Sequence, residues 1–371
     1  MSKLGLLAGL MLLLSLPLRA EPKLRWSWAQ ENCEVLGVCP DSKGNRVALV
    51  RRIHWPDGHE AEEAEARLAE LRRRAEKEPR FQDPEVMLMQ VTGGSERIDW
   101  GWDPDFSPAG ERLCYSHQAR PATGLRILAE TLQGNWLEEW SESNHQHRPL
   151  VRPQSGFLAA PSYSSDGQSL LYELQAPVNG AWPGTVGAGV YRFAQGESRT
   201  LLDPSKEKGL DVLVRVRWVG NQVIALRGTP LEAGSYLSDS YAWDLVAPEK
   251  SPPEVLVRLP STDLLSAPSL ESAAGNLWLN GRAFDPNGRR WLDKPVGKVL
   301  GSLSPDGRHR ALTRGNVLVL LDPAGRETWK TRLPGSAAGL RWSANGRYLA
   351  VISTQTRRGQ FLKDSVRLYQ I

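Results

Sequence analysis

Sulfur is scarce in this chain: of 371 residues, three are Cys and four are Met. Three Cys cannot all pair within one chain, so a disulfide-built scaffold is excluded, and no Cys spacing fits a zinc site. After the first twenty residues no run is apolar enough for a membrane-spanning helix. Neither sign of charge dominates, with 46 Lys and Arg against 42 Asp and Glu. That balance argues against a nucleic-acid or anionic-membrane surface. Catalytic signatures are also missing: there is no G-x-S-x-G elbow, P-loop, G-x-G-x-x-G, EF-hand loop or H-E-x-x-H. His59-Glu60 begins like the last of these, but Glu63 stands where the second His belongs. No cofactor is expected.

What is abundant is Gly (34), Pro (26) and Trp (14). With 40 % apolar and 24 % charged residues, the composition is that of a turn-rich globular β protein.

The N-terminus reads as an address. Lys3 precedes an apolar run from Leu4 to Leu18, too short to span a bilayer comfortably, and Leu18-Arg19-Ala20 offers a small residue for cleavage. Residues 1–20 are therefore expected to be a signal peptide, with an uncleaved anchor as the alternative. No Cys lies at the junction to carry a lipid. Losing Lys3 and Arg19 leaves 44 basic against 42 acidic residues. The mature chain, 21–371, is expected in the periplasm or outside the cell, as a monomer with no membrane span. Cys33 and Cys39 then either form a disulfide or are held apart by strands, and Cys114, in Leu113-Cys114-Tyr115, reads as a buried thiol.

The chain repeats itself. Cys39–Leu49, Phe106–Tyr115, Tyr163–Tyr172, Leu303–Leu312 and Trp342–Val351 each run from a strand through a Ser-Pro-Asp-Gly-like turn into another strand. Weaker copies lie at Trp218–Leu226 and Ala273–Leu279. Asp bonds nearby backbone, Gly takes the positive φ, and the result is a tight hairpin. These turn residues are structural. Gly44, Gly110, Gly167, Asn221, Gly275, Gly307 and Gly346 mark intervals of 66, 57, 54, 54, 32 and 39 residues. Each interval has room for one four-stranded sheet plus loops of unequal length. An all-β, seven-bladed β-propeller is expected as one domain over 21–371, with six blades as the alternative.

The segments Phe106–Gly110, Tyr163–Gly167, Leu303–Gly307 and Trp342–Gly346 resemble the PD40 repeat, a WD40-like unit of TolB-like propellers and of prolyl-oligopeptidase-type propeller domains. The resemblance covers nearly all of the mature chain and implies the fold far more than a function. With no room after Ile371 for a hydrolase domain, a peptidase of the prolyl-oligopeptidase type is not expected.

Individual strands can be placed. Gln222–Leu226, Tyr241–Leu245, Glu254–Arg258 and Pro268–Leu270 read as the fourth blade; Arg310–Thr313, Val317–Leu321, Arg326–Thr331 and Leu340–Trp342 as the sixth. Leu340–Trp342 also reads, with Tyr348–Ile352 and Ser365–Gln370, as part of the last blade. That blade lacks an outer strand, and the alternating Leu24–Trp28 is expected to supply it beside Ser365–Gln370. An insertion over 58–80 carries one expected helix, Glu60–Glu78, with acidic residues leading and basic ones trailing.

Three features carry possible chemistry. His145-Gln146-His147 puts two imidazoles on one face of a strand, where an exposed loop is the plainer alternative. Asp99, Asp103 and Asp105, around Trp100 and Trp102, enter an innermost strand, from which some can reach the central channel; core Trp and turn-stabilising Asp are the plainer alternative. The connections between second and third strands all leave one rim and are unequal: the fifth and sixth are short and the others long, with ordinary loop drift as the plainer alternative to a recognition surface. The long ones span His117–Thr123, Ala176–Gly189, Gly228–Asp239 and Thr354–Asp364, besides the first, and carry Trp55, Arg120, Trp182, Tyr236 and Arg358. Such residues suit recognition. No residue is expected to be catalytic or to bind metal. The expected function is a non-catalytic module binding a protein or cell-envelope ligand. A lyase or hydrolase at the channel mouth, or a small-molecule sensor, is the alternative.

Overall fold

The computed structural model describes residues 21–53, 84–118, 135–153, 156–177, 183–203, 213–230, 241–250, 253–259, 270–279, 282–292, 301–357 and 360–371. Every helix or strand among them is a strand. The helix expected over Glu60–Glu78 lies outside the described residues, as does the expected signal peptide.

Five four-stranded antiparallel sheets and one seven-stranded sheet make up the fold. In chain order, the seven-stranded sheet holds β2 (Cys33–Pro40), β3 (Arg46–Ile53), β4 (Pro84–Gln90), β5 (Ser95–Phe106), β6 (Arg112–Gln118), β7 (Asn135–Ser141) and β8 (Gln146–Val151). The next contains β9 (Phe157–Tyr163), β10 (Ser169–Pro177), β11 (Pro183–Arg192) and β12 (Glu197–Leu202). Another contains β13 (Leu213–Val219), β14 (Gln222–Pro230), β15 (Tyr241–Ala247) and β16 (Glu254–Leu259). A sheet of short strands follows: β17 (Leu270–Ala273), β18 (Asn276–Leu279), β19 (Arg282–Asp285) and β20 (Arg290–Trp291). Then come β21 (Ser302–Leu303), β22 (Arg310–Arg314), β23 (Val317–Leu321) and β24 (Glu327–Arg332). The last sheet joins β25 (Ser336–Trp342), β26 (Tyr348–Arg357) and β27 (Gln360–Gln370) to the N-terminal β1 (Lys23–Glu31).

Of the seven separate four-stranded sheets expected, five are found, with one seven-stranded sheet in place of the other two, and β5 is the reason. Its residues Ser95–Trp100 pair with β4 and Gly101–Phe106 pair with β6, with no turn between. Gly101 sits at the changeover, where a Cβ would fall 2.2 Å from the Ser116 carbonyl oxygen. The grouping of strands also differs by one step. Leu270 opens the next sheet rather than finishing the fourth, and Leu340–Trp342 belongs to β25. The turns at Gly44, Gly167, Gly275, Gly307 and Gly346 join the first two strands of a sheet instead of following a completed one, and Gly110 joins β5 to β6 inside the seven-stranded sheet.

The turns obey one chemistry. Gly110, Gly167, Gly307 and Gly346 donate N–H to the Ser carbonyl three residues back, at 2.7–2.9 Å. The same Ser hydroxyl, as in Ser164, Ser304 and Ser343, accepts the N–H of the residue two after the glycine. It also donates to the turn Asp or Asn: Asp166, Asp306 or Asn345. The buried Ser164, Ser304 and Ser343 thus have both their carbonyl and their hydroxyl bonded within the turn.

The sheets stand around an axis. β25 touches β2, β2 touches β5, β5 touches β9, β13 touches β17, β17 touches β21, and β21 touches β25. Trp218 of β13 donates its indole N–H to the Ser162 carbonyl of β9 at 2.9 Å, completing the circle. The fold is therefore a β-propeller. Apolar faces of neighbouring sheets form its core. Val47, Leu49 and Met87 of the seven-stranded sheet pack with Ile352, Val366 and Leu368 of the last, and Trp26 and Trp28 of β1 cover them. β1 pairs with β27 from Lys23↔Gln370 to Glu31↔Lys363, the closure that the alternating Leu24–Trp28 implies.

Cys33 and Cys39 lie on one strand, β2. Six residues at about 3.3 Å each separate them by roughly 20 Å, beyond disulfide reach. All three thiols are free and buried.

Candidate functional site

Five residues before the turn glycine, each complete repeat places a small or charged side chain on its innermost strand. These are Cys39, Asp105, Ser162, Ser302 and Arg341. Each stands opposite a buried residue of the second strand: Ala48, Cys114, Leu171, Ala311 and Ala350. In β13 the equivalent position, opposite Ile224, is Arg217. Together they form a polar layer around the axis.

Arg341 donates from Nη2 to Asp105 Oδ1 at 2.9 Å, and the Cys39 thiol approaches the same oxygen at 3.7 Å. The other Asp105 oxygen accepts the Tyr163 N–H at 2.9 Å. Burial pushes the Asp105 carboxyl up, with Arg341 pulling it back. Burial opposes the Arg341 charge as well, but Asp105 outweighs it and raises the guanidinium above its ordinary value. Desolvation, with Asp105 adding, pushes the Cys39 thiol up to about 12. Across the layer, Arg217 donates to the Leu270 carbonyl at 3.1 Å and lies 3.9 Å from Glu173. Glu271 accepts the Leu303 N–H at 3.1 Å. Asp103, two residues before Asp105, is exposed and accepts the Ala160 N–H at 3.1 Å.

A second polar cluster lies on β5, β6 and β8. His117 Nδ1 is 2.7 Å from Asp99 Oδ2, so its N–H donates to the carboxylate. Tyr115 donates to the same oxygen at 2.8 Å and meets His147 Nδ1 at 2.9 Å. Burial disfavours the Asp99 charge. The bonds from His117, the Trp100 N–H and Tyr115 nonetheless hold its carboxyl below the usual range. Burial, with Asp99 beside it, raises the Tyr115 phenol. The His117 ring rests on Trp136 at 4.1 Å. A carboxylate on Nδ1 leaves Nε2 as an acceptor, the arrangement of an oriented base.

The structure separates residues that the sequence put together. His145 occupies a turn at φ 51 and faces Glu96 at 3.9 Å, whereas His147 on β8 faces Tyr115. Asp99 belongs to the histidine cluster, and Asp103 and Asp105 to the axial layer. Among the described residues no three His, Cys, Asp or Glu side chains are placed to share a metal ion. The uncharged run expected as the loop Ala176–Gly189 is mostly hairpin: β10 extends to Pro177 and β11 begins at Pro183. Trp55, Arg120, Trp182, Tyr236 and Arg358 lie outside the described residues. Tyr115, His117, Arg217, Glu271 and Arg341 were not singled out by the sequence. A polar residue at a fixed offset before each turn is the signal that finds Arg341.

No protein-family model matches this chain, and no curated protein does either. Solved structures do. The β-propeller domain of Cps50 (Swd1) from Myceliophteria thermophila is 11 % identical with a TM-score of 0.54, over 95 % of this chain and 100 % of that one. The acylaminoacyl peptidase of Pyrococcus horikoshii is 11 % identical with a TM-score of 0.55, over 89 % of this chain and 50 % of that one. A prolyl endopeptidase is 12 % identical with a TM-score of 0.45, over 90 % of this chain and 42 % of that one. This chain thus spans half or less of the two peptidases. The first two likenesses agree on the fold, a β-propeller.

Proposed function

We propose that this chain is an exported, non-catalytic propeller of the TolB-like, PD40 type, binding a protein or cell-envelope component on one rim. Counting β5 in both of the units it joins gives seven blades.

One observation carries the reading: the two ends of the propeller are built differently. At one end the turns lock together. A Cβ on Gly167 would lie 3.3 Å from Pro108, one on Gly346 3.3 Å from Asp306, and one on Gly307 3.1 Å from Ala274. Arg46 and Arg112, each two residues after a turn glycine, donate to the carbonyls of Gly110 and Gly167 in the next turn. Such an end is spent on holding itself together. At the other end, Ile53, Gln118, Pro177, Pro230 and Arg357 finish second strands, and third strands begin at Pro84, Asn135, Pro183, Tyr241 and Gln360. The intervening sequence holds Trp55, Arg120, Trp182, Tyr236 and Arg358, residue types that dominate binding energy.

Photo-crosslinking amino acids placed at positions 55, 182, 236 and 358, and at 166 and 308 on the turn side, test this in growing cells. Adducts are expected from the first group alone. Adducts from the turn side alone, or from no position, would sink the reading.

A further inference from the structure

We propose that β1, the outer strand of the last sheet, pairs antiparallel with β1 of a second copy of this chain, joining two propellers edge to edge. The monomer expected from the sequence gives way to a closed pair. The contact uses the outer edge of a sheet and not the rim, and the rim reading does not depend on it.

Each of the six sheets has one outer strand, and β1 differs from the other five. It has nine residues, whereas β8, β12, β16 and β24 have six and β20 has two. A long outer strand presents a row of backbone N–H and C=O groups, which proteins blunt with proline, charge or a short strand. β8 carries Pro149. Charged side chains of β16 and β24 are held within the chain: Glu254 by Lys250 and Arg289, Arg258 by Asp244, and Glu327 by Lys330. Arg199 of β12 donates to the Glu249 carbonyl of the next sheet at 3.2 Å. β1 has no proline and no charge from Trp26 to Gln30. It also carries Leu24, at 51 % the most exposed large apolar side chain among the described residues.

The occupant follows from charge. Lys23 and Arg25 open the strand and Glu31 closes it; all three are exposed, and none forms an ion pair among the described residues. An antiparallel copy brings each basic start beside the other's acidic end, twice by symmetry. A parallel copy would set like charges together.

The register follows from the backbone. Pairing with β27 slips between Leu24 and Trp26, so the regular stretch of the edge is Trp26–Glu31. Alternate residues turn their N–H and C=O to the same side, so two copies of one strand meet only where residues of equal parity stand opposite. Centring on Trp28 meets that condition. It sets Trp26 opposite Gln30 of the other copy, Ser27 opposite Ala29 and, at both ends, Arg25 opposite Glu31. Trp26 and Trp28 already lie half-buried over Val366 and Leu368, and opposed Trp28 rings extend that apolar cover across the junction. Both copies use the same edge, so the assembly closes at two.

Sedimentation velocity of the purified protein from about 1 to 200 µM tests the pair. A reversible monomer–dimer equilibrium with no larger species is expected. Arg25→Glu and Glu31→Arg each convert two opposite-charge contacts into like-charge ones, and each should weaken the dimer at least about tenfold. Mixed together, the two single variants regain opposite charges at both ends and should form a heterodimer about as tight as the parent dimer. A protein that stays monomeric over the whole range overturns the proposal. So does a dimer that both variants leave unchanged, or a mixture that associates no better than its components. If a charge variant does not fold, Ser27→Cys mixed with Ala29→Cys decides under mild oxidation, the three native thiols being buried. A disulfide-linked heterodimer is expected, and a yield no higher than either variant gives alone overturns the proposal. A monomer with rim crosslinks intact removes this contact and leaves the rim reading standing.

Discussion

Tyr348 lies on Gly44: a Cβ built on that glycine would fall 2.2 Å from the tyrosine ring. Tyr348 is two residues after the turn glycine of the last sheet, and Gly44 is the turn glycine of the first. The contact repeats what Arg46 and Arg112 do between earlier turns, and so joins the two ends of the chain.

Gly44→Ala and Gly275→Ala separate backbone preference from this packing. Both glycines are left-handed, at φ 69 and 75, but nothing lies within 4 Å of a Cβ on Gly275. Gly275→Ala is expected to cost about 1 kcal/mol, the backbone term alone. Gly44→Ala should cost clearly more in urea unfolding, because the Tyr348 ring must move. Adding Tyr348→Ala should cost less in the Gly44→Ala background than alone. Equal cost for the two glycine variants would show that the ring yields freely.

The Asp99 cluster predicts a direction with pH. A carboxyl held below its unfolded value stabilises the fold above about pH 4, where the unfolded group is ionised, and that contribution is lost as pH falls through the folded value. Asp99→Asn is expected to lower stability at pH 6 by about 1–3 kcal/mol, the range for a hydrogen bond to a charged group. The gap between variant and parent should narrow below pH 4. A gap that widens on acidification would contradict the sign.

Removing residues 21–31 takes away β1 and bares one edge of β27. Several kcal/mol of pairing and of cover over Val366 and Leu368 should be lost, together with resistance to edge-to-edge association. The expected result is a lower Tm and concentration-dependent aggregation. An unchanged Tm would mean that β1 contributes nothing to the closed ring.

The three thiols should be silent. Burial pushes Cys33 and Cys39 up to about 12 and Cys114 well above its usual value, so thiolate is rare in the native state. An aromatic disulfide reagent is expected to titrate none natively and three after denaturation. A count of one after denaturation would reveal a disulfide that the strand geometry forbids.

Much of this was legible because it is local. A Ser-Pro-Asp-Gly turn declares its own hairpin, and alternation in Leu24–Trp28 declares a strand. What escaped depends on the third dimension. Nothing in Asp99-Trp100-Gly101 announces that a strand changes partners without turning. Nor does spacing show that His117 binds Asp99 and that Tyr115 links Asp99 to His147, because the register of β6 against β5, β7 and β8 decides it. His145 left its neighbour for a reason only the backbone reveals: the hairpin turn claims it. The axial layer is intermediate, since a fixed offset from the glycine locates Arg341, whereas only the closed circle brings it to Asp105.

The continuity of β5 has a mechanical consequence. Two units that share a strand cannot swing apart without tearing hydrogen bonds along their length, so that joint is the stiffest in the circle. The opposite holds at β21, a strand of two residues standing between β17 and β25 in the circle. If the circle ever breathes, its gate is at Ser302–Leu303, and the hinge region farthest from yielding is at Gly101.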